Sequence, residues 1–216
     1  MPEGNSNAGG AANLQNEALP KTVYKDFLME IATANVWVAS MSGPVATGYV
    51  LLLGASEFEF GLMASIGSLA GISAPVFSYF VDRFAKKKKL TLFACLPVRL
   101  IQFLMAAIPL LIFYKIMPNP LLFYLALVVI MSFFNVFSGQ AWFSWMGEII
   151  PAKQRGYYFG RRSFVGGAVG MIFAVIAGMF MDGFSNKHFA FSSLFLFGSI
   201  FSMIAYYYFT RLPEAK

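Results

Sequence analysis

Six long runs of apolar residues, almost free of charge, constrain this chain more than any other feature of its sequence. The runs are Phe27–Leu53, Leu62–Val81, Leu90–Tyr114, Leu121–Trp145, Phe164–Met181 and Phe189–Phe209. A helix needs about 20 apolar residues to cross the hydrocarbon core of a membrane, and only Glu30 and Arg99 are charged inside the runs. Because no water satisfies backbone groups there, each run must form its own hydrogen bonds, as a helix does. The sequence therefore predicts an all-α, multi-pass integral membrane protein with six transmembrane helices, surrounded by a lipid bilayer.

Composition argues against the soluble alternatives. Hydrophobic residues make up 58% of the chain and charged residues 12%, whereas soluble globular proteins are nearer half apolar and a quarter charged. The single cysteine and single histidine exclude a disulfide framework within the chain and argue against a clustered metal site. We expect no metal and no cofactor. We also expect no enzyme, because the HExxH and GxSxG motifs are absent and the only histidine, His188, lies in a predicted outer loop.

The basic residues between the runs predict the orientation. Thirteen Lys and Arg residues fall on the side that holds both termini, and only Lys115 and Lys187 fall on the other side. Because Lys and Arg in short loops stay in the cytoplasm, both termini are expected to be cytoplasmic. The same placement explains the net charge of +6 without nucleic acid, which we do not expect as a partner. Residues 1–20 are small and polar and are expected to form a disordered cytoplasmic tail, followed by a transmembrane domain over 21–216.

Two of the predicted helices carry small residues that allow neighbouring helices to approach closely. The second has Gly67 and Gly71, and the fifth has Gly166 and Gly170, each pair four residues apart on one face. We interpret both stripes as generic packing positions.

The loops on the basic side carry three short motifs. Residues 78–89 read SYFVDRFAKKKK, which resembles the Gly-x3-Asp-Arg/Lys-x-Gly-x-Arg/Lys-Arg/Lys signature of the major facilitator superfamily, with Ser78 and Ala85 in place of its glycines. Residues 151–162 read PAKQRGYYFGRR, similar to an Arg-Gly-x3-Gly-Arg element of many bacterial members, and Pro213-Glu214 follows the sixth run as in the family. The resemblance covers the chain from Lys21 onward. It implies the N-terminal six-helix bundle, a 3+3 inverted repeat, in a bacterial cytoplasmic membrane.

The resemblance also implies that the loop after the second helix is a latch against a second bundle. The positions that we assign to this cytoplasmic gate are Asp82, Arg83, Lys86, Lys87, Glu148, Arg155, Gly156, Gly160 and Arg161. We expect Arg83, Arg155 and Arg161 to pair with the acids of this set, because a charge cluster of that kind can close one face and open in another state. For the lysine run, a purely topological role is the alternative.

Polar residues inside the runs predict a cavity for a substrate. In the superfamily the first and fourth helices line the central cavity, and here each carries polar or aromatic residues on one face. With the arginine of the third run, the candidate cavity residues are Thr33, Trp37, Ser40, Arg99, Ser132, Asn135 and Trp142. The alternative for each of them is a hydrogen bond between helices.

The two charges inside the runs leave alternatives open. Arg99 lies about 15 Å into the third run at 1.5 Å per residue, where a charge is costly and must find protein or water. It either binds an anionic substrate or a coupling carboxylate, or it is a structural arginine that snorkels or pairs with polar neighbours. We prefer the structural interpretation. Glu30 is expected at the membrane interface, with a role in proton coupling left open.

The resemblance implies secondary active transport of a small molecule by alternating access, driven by H⁺ or Na⁺. The alternative is a truncated or non-transporting six-helix membrane protein, a scaffold or a channel-like protein. Transporters of this superfamily have two six-helix halves, and this chain corresponds to the first. We therefore expect a second half, as a missing C-terminal half, a separate chain or a second copy in a homodimer. The sequence does not predict the substrate.

Overall fold

The computed structural model describes residues 19–84 and 86–214, and the regular secondary structure of this part of the chain is all helical. The tail expected over residues 1–20 lies almost wholly outside the described residues, as do Ala85 of the loop motif and the last two residues. The helices are α1 (Lys21–Met41), α2 (Gly43–Leu52), α3 (Glu57–Gly71), α4 (Ala74–Asp82), α5 (Lys87–Phe113), α6 (Pro120–Ile149), α7 (Arg155–Asp182) and α8 (Lys187–Arg211), with a 3₁₀ turn at Ala152–Gln154.

The first two apolar runs each form two helices rather than one. α1 ends before Ser42, and the next residue, Gly43, has a φ of +56°, in the left-handed region that glycine adopts without strain. Pro44 and Pro75 lie in the first turns of α2 and α4. Neither proline can donate the backbone hydrogen bond that would join its helix to the one before, so the chain breaks at these two points.

Five segments of the described chain are long and apolar enough, by length and composition, to cross a membrane. They are Glu57–Asp82, Lys87–Phe113, Pro120–Ile149, Ala152–Asp182 and Lys187–Arg211. The first predicted run is covered by α1 and α2 together, and neither qualifies alone, because α1 begins with charged residues and α2 has only 10 residues. The prediction of an all-α membrane bundle is confirmed, with the first crossing divided between two helices.

The helices extend beyond the apolar runs at the end of the bundle that holds the starts of α1, α5 and α7 and the ends of α4, α6 and α8, which we call the basic end. α7 begins at Arg155, well before the predicted start at Phe164, and α6 continues to Ile149, past Trp145. The apolar pattern detects only the part of a helix that suits hydrocarbon, whereas the backbone hydrogen bonds continue into the polar region.

The packing of the helices repeats internally. α1 packs against α7 and α8, α6 packs against α5 and against α3 and α4, and α5 and α8 pack against each other. If the first three crossings are exchanged with the last three, the pairs of α1 map onto the pairs of α6, and the pair of α5 and α8 maps onto itself. This is the symmetry expected of a 3+3 repeat.

Burial differs strongly between the inner and the flanking helices. In the most apolar stretch of α8, 50% of the residues are buried inside the bundle, against 11% for both Glu57–Asp82 and Ala152–Asp182. α7 and the α3–α4 segment are therefore at the two edges of the bundle, and most of their apolar surface faces outward.

Two apolar clusters fill the interior, with a polar layer between them. One cluster includes Tyr49 and Phe195, and the other, at the basic end, includes Phe27 and Trp145. Between the clusters the buried side chains are polar or charged, and they include Glu30, Thr33, Ser40, Arg99, Gln102, Ser138, Ser199 and Ser202. Buried polar groups are costly in such surroundings unless they are paired, so this layer is where a functional site is to be sought.

Candidate functional site

A cavity of about 170 Å³ lies in the polar layer, between α1, α5, α6 and α8. Its lining residues are Glu30, Ala34, Trp37, Cys95, Val98, Arg99, Asn135, Ser138, Gly139, Trp142 and Phe209. Two larger cavities, of about 390 and 340 Å³, are lined almost entirely by aromatic and aliphatic side chains, which suits lipid chains. We therefore take the smaller, polar cavity as the candidate site.

Arg99 of α5 is the charged centre of this cavity. Arg99 is only 5% exposed, and its Cζ atom lies 5.4 Å from the centroid of the Trp37 ring. Among the described residues its Nε atom has no hydrogen-bond partner, and no acid forms an ion pair with it. A cation–π contact contributes about 0.5–2 kcal/mol, less than the roughly 2.5–3.5 kcal/mol that an arginine costs at the centre of a membrane helix on insertion scales.

The preferred interpretation of Arg99 from sequence, a structural arginine that snorkels or pairs with polar neighbours, stays a prediction. Within the described chain its guanidinium contacts the Trp37 ring and forms no ion pair. The Ser138 hydroxyl of the same lining donates to the Asn135 carbonyl at 3.1 Å, and Glu30 binds another arginine.

Two indole groups face the same cavity with unused donors. The Nε1 atoms of Trp37 and Trp142 are both buried and lack an acceptor among the described residues. Phe27 stacks on Trp142 with ring centroids 6.3 Å apart, which fixes the orientation of that indole. With the arginine, the cavity thus presents three buried N–H donors and no acceptor bound to them.

Glu30 is buried inside the bundle, and its expected depth at the membrane interface stays a prediction. It is 2% exposed, and Arg162 of α7 donates to its Oε2 atom. The same guanidinium donates to the Phe27 carbonyl at 3.3 Å and stacks over the Trp142 ring at 4.4 Å. α7 can deliver this arginine because Gly166 allows it to pack closely against α1. Glu30 is thus paired with Arg162 and forms no ion pair with Arg99, although both line the same cavity.

The structure separates the predicted cavity residues into two groups. The residues that do line the cavity are Trp37, Arg99, Asn135 and Trp142. Thr33 instead donates to the carbonyls of Met29 and Glu30 in its own helix, and Ser40 donates to the carbonyl of Val36. Ser132 is half-buried and outside the lining. Helical spacing placed six of the seven, all except Arg99, on two helix faces, but spacing does not reveal which positions meet a third helix.

At the basic end, the acids of the predicted gate bind partners other than the expected arginines. Asp82, at the end of α4, accepts a hydrogen bond from the Ser144 hydroxyl of α6 at 3.4 Å. Glu148 forms an ion pair with Lys87 at 2.5 Å, which joins α6 to α5. The expected pairing of arginines with these acids is absent among the described residues, because the arginine side chains are turned toward other acceptors.

Two of those arginines bind within their own local segments. Arg83 donates to the Tyr79 hydroxyl one turn earlier and stacks over its ring at 4.2 Å. Arg155 donates to the Ile150 carbonyl at 3.2 Å and to the Gly147 carbonyl. These carbonyls are among the last of α6, which have no helical partner of their own, so Arg155 closes the end of that helix.

The remaining gate positions lie near α1 or in solvent. Arg161 donates to the Tyr24 hydroxyl at 3.4 Å, which links α7 to α1. Lys86 is exposed just before α5, and a Cβ atom built at Gly156 or Gly160 would meet no atom within 4 Å. Neither glycine is therefore required for packing within the described chain.

Sequence reasoning missed several links that hold the basic end together. The Lys88 ammonium donates to the carbonyls of Thr210 and Leu212, and Arg211 pairs with Asp26 at 3.2 Å. The indole of Trp145 donates to the Pro213 carbonyl at 3.1 Å. Counting basic residues by side treats every lysine alike, so it cannot distinguish Lys88 from its neighbours. The acid at Asp26, surrounded by basic residues, is the one signal that could have indicated a pair.

Comparison with known proteins agrees with this architecture. The family model described as Major Facilitator Superfamily matches residues 29–216. Neither the search of curated proteins nor the search of solved structures finds a match. The family match covers every helix except the start of α1, and it includes the residues of the polar cavity and the motifs of the basic end. The resemblance of the three loop motifs is thereby confirmed: this chain, an integral multi-pass membrane protein, belongs to the major facilitator superfamily of membrane transporters.

Proposed function

We propose that this chain is one six-helix half of a secondary transporter, which moves a small molecule across a membrane by alternating access. The observation that carries the proposal is the polar cavity between α1, α5, α6 and α8, with the buried Arg99 inside it. A bundle that served only as a scaffold would be more stable with apolar side chains at these positions. A cavity that must receive a polar solute, in contrast, needs polar groups left unpaired before the solute binds.

A second six-helix bundle would complete the transporter. α7 and the α3–α4 segment are the most exposed crossings, and a Cβ atom added at Gly67 or Gly71 would meet nothing within 4 Å. These small residues allow close approach of another helix. We propose that a C-terminal half, a separate chain or a second copy packs there, since rocking of two bundles requires a partner.

The loop after α4 would be the latch between the two bundles. Asp82 and Arg83 are exposed, and their contacts within the described chain are one hydrogen bond to Ser144 and one to Tyr79. Both side chains can therefore exchange these contacts for contacts with a second bundle at little cost. Arg155 and Arg161, held near the same end, would stabilise the neighbouring connection.

We further propose that the basic end is cytoplasmic and that an H⁺ or Na⁺ gradient drives transport. The positive-inside rule supports the orientation. Sequence motifs for ATP binding are absent from the chain, which favours an ion gradient as the energy source. The superfamily is generally non-enzymatic, and we infer no catalytic reaction for this member.

Flux measurements in proteoliposomes test the proposal. Vesicles containing the chain, with its second half when that is a separate protein, would be given an inward H⁺ or Na⁺ gradient and a defined mixture of amino acids, sugars and organic acids. We expect at least one solute to accumulate with the gradient and to stop accumulating when an ionophore dissipates it. Flux that ignores the gradient would indicate a channel instead, and no flux of any solute would indicate a scaffold.

Asp82→Asn tests the latch in the same vesicles. This variant keeps the size of the side chain and removes its charge, and we expect the rate of gradient-driven flux to fall at least tenfold with unchanged insertion. Lys153→Gln, an exposed substitution at the same end, is the matched control. Equal flux by the two variants would show that the loop only fixes topology.

A further inference from the structure

We infer that the polar cavity binds the carboxylate of a small organic acid, with Arg99 as its counter-charge and the indole N–H groups of Trp37 and Trp142 as its hydrogen-bond donors. That this acid is the transported solute rests on the proposed function, but its binding does not.

The charge of the cavity is positive and unmatched. The charged side chains that are buried in the described chain are Asp26, Glu30 and Arg99. The first pairs with Arg211, and the second pairs with Arg162. Glu30 is also the one acid among the residues that line the cavity. Because Glu30 is already paired with Arg162, the lining retains one positive charge without an ion-pair partner in largely apolar surroundings, where such a charge is costly.

The fully buried atoms of the lining that lack a hydrogen-bond partner in the described chain are donors. A guanidinium and an indole have N–H groups and no acceptor, and the Nε atom of Arg99 and the Nε1 atoms of Trp37 and Trp142 are buried without partners in the described chain. A ligand that satisfies them must supply acceptors. A carboxylate supplies two oxygens and one negative charge, and its plane matches the guanidinium fork. An ammonium ligand would add a second positive charge and no acceptor.

The size and walls of the cavity limit the rest of the ligand. A volume of about 170 Å³ corresponds to roughly five or six water molecules at about 30 Å³ each. Apart from the donors, the walls are largely apolar, with Val98, Phe209 and the faces of the two indoles. The site therefore suits a small acid with a short aliphatic chain or a single ring, rather than a sugar or a polyanion.

The tryptophans provide a direct binding assay. The chain has three tryptophans, and two of them line the cavity, while Trp145 is fully buried outside its lining and bonded to Pro213. The intact chain in nanodiscs of zwitterionic lipid, which contain no anionic headgroups to compete, would be titrated with benzoate, its neutral analogue benzamide and the cation benzylamine. We expect saturable quenching by benzoate, at least tenfold weaker binding of benzamide and none of benzylamine.

Variants at Arg99 show whether the guanidinium provides the selectivity. Arg99→Met is expected to weaken benzoate binding at least tenfold, to the level of benzamide, and Arg99→Lys should bind with intermediate affinity because it keeps the charge and loses the planar fork. Lys153→Gln removes an exposed positive charge that does not line the cavity and should leave the affinity for benzoate unchanged.

Thermal unfolding separates a binding role from a structural one. Removing an unpaired buried charge should raise the unfolding temperature of the ligand-free protein, and Arg99→Met should also abolish the upward shift that benzoate produces in the original chain. Equal binding of benzoate and benzamide, no binding of either, or a lower unfolding temperature of Arg99→Met would each overturn the inference.

The two proposals fail in different ways. Gradient-driven flux of a neutral solute without carboxylate binding would overturn this inference and leave the transport proposal standing. Carboxylate binding that depends on Arg99, without flux of any solute, would overturn the transport proposal and leave this inference standing.

Discussion

α7 and α3 carry the same spacing of small residues, yet the structure uses the two helices differently. A Cβ atom added to Gly166 of α7 would lie 2.7 Å from the Asn35 Nδ2 atom of α1, whereas one added to Gly67 or Gly71 of α3 would meet no atom within 4 Å. The first pair of small residues is consumed by packing inside the chain, and the second pair is left open. Small residues four apart thus show that a helix can be approached closely, but not that the approaching helix belongs to the same chain.

Polar contacts strengthen the same difference. α7 is joined to α1 by the ion pair of Arg162 with Glu30, whose side chains are 12% and 2% exposed. The α3–α4 segment is joined to α6 by the exposed hydrogen bond between Ser144 and Asp82, at 3.4 Å. One flank of the bundle therefore has a buried ion pair as its polar link, and the other has an exposed hydrogen bond, although both flanks pack against a central helix to a similar extent. In a transporter that rocks, the exposed hydrogen bond is the link that changes partner at the lower cost.

The largest effect is expected at the buried pair. Arg162→Gln would leave Glu30 buried and unpaired, so the free energy of unfolding should fall by about 3–5 kcal/mol. Denaturant unfolding in detergent micelles measures this value, and the double variant Arg162→Gln with Glu30→Gln should recover part of the loss. Asp82→Asn removes the charge at the flank that has the exposed hydrogen bond to Ser144. This variant is the matched control, and its free energy of unfolding should change by less than about 0.5 kcal/mol. Equal losses at the two positions would remove the contrast between the flanks.

The next effect is steric. Gly166→Leu forces a large side chain against Asn35 and Ile31, which already lie within 3 Å of the added Cβ position, and should destabilise the bundle by about 1–3 kcal/mol. Gly178→Leu lies on the same helix where the space is open, so it controls for the general effect of leucine on α7. An unfolding temperature as low for Gly178→Leu as for Gly166→Leu would contradict the packing described here.

A smaller effect is expected at the exposed ion pair between α5 and α6. Lys87→Gln removes the partner of Glu148, whose side chain is 41% exposed, and surface pairs contribute about 0–1 kcal/mol. The loss should shrink further at high salt, because salt screens exposed charges. A loss comparable with that of Arg162→Gln would mean that exposed and buried links hold this bundle equally, contrary to the comparison above.

The smallest effect on unfolding is expected at the open stripe of α3. Gly67→Leu should change the free energy of unfolding by less than about 0.5 kcal/mol, because no atom of the described chain lies near the new side chain. If a second bundle packs there, the same substitution should weaken its association, as measured by chemical cross-linking in the membrane. Gly67→Leu that destabilised the chain as strongly as Gly166→Leu would show that the α3 face is already covered from within.

The fold could be inferred from the sequence because its signals are local. Length and apolarity of each run identify a crossing without knowledge of any other run, and the three short loop motifs together indicate the family. The lining of the candidate cavity could be predicted from the sequence only in part. Trp37 and Trp142 meet in its lining, whereas Ser40 and Ser132 lie outside it, since a helical face includes positions that contact lipid, other helices and the cavity alike.

By itself, the sequence determined that this chain enters a membrane as a bundle of helices and which family it belongs to, because hydrophobicity and loop motifs act over a few tens of residues. The tertiary structure alone decided which charges are paired. Glu30 finds Arg162, and Glu148 finds Lys87, both far away along the chain. Arg99 finds no acid among the described residues. Periodicity defines the face of a helix but not its neighbour, and it is the neighbour that either cancels a buried charge or leaves it for a ligand.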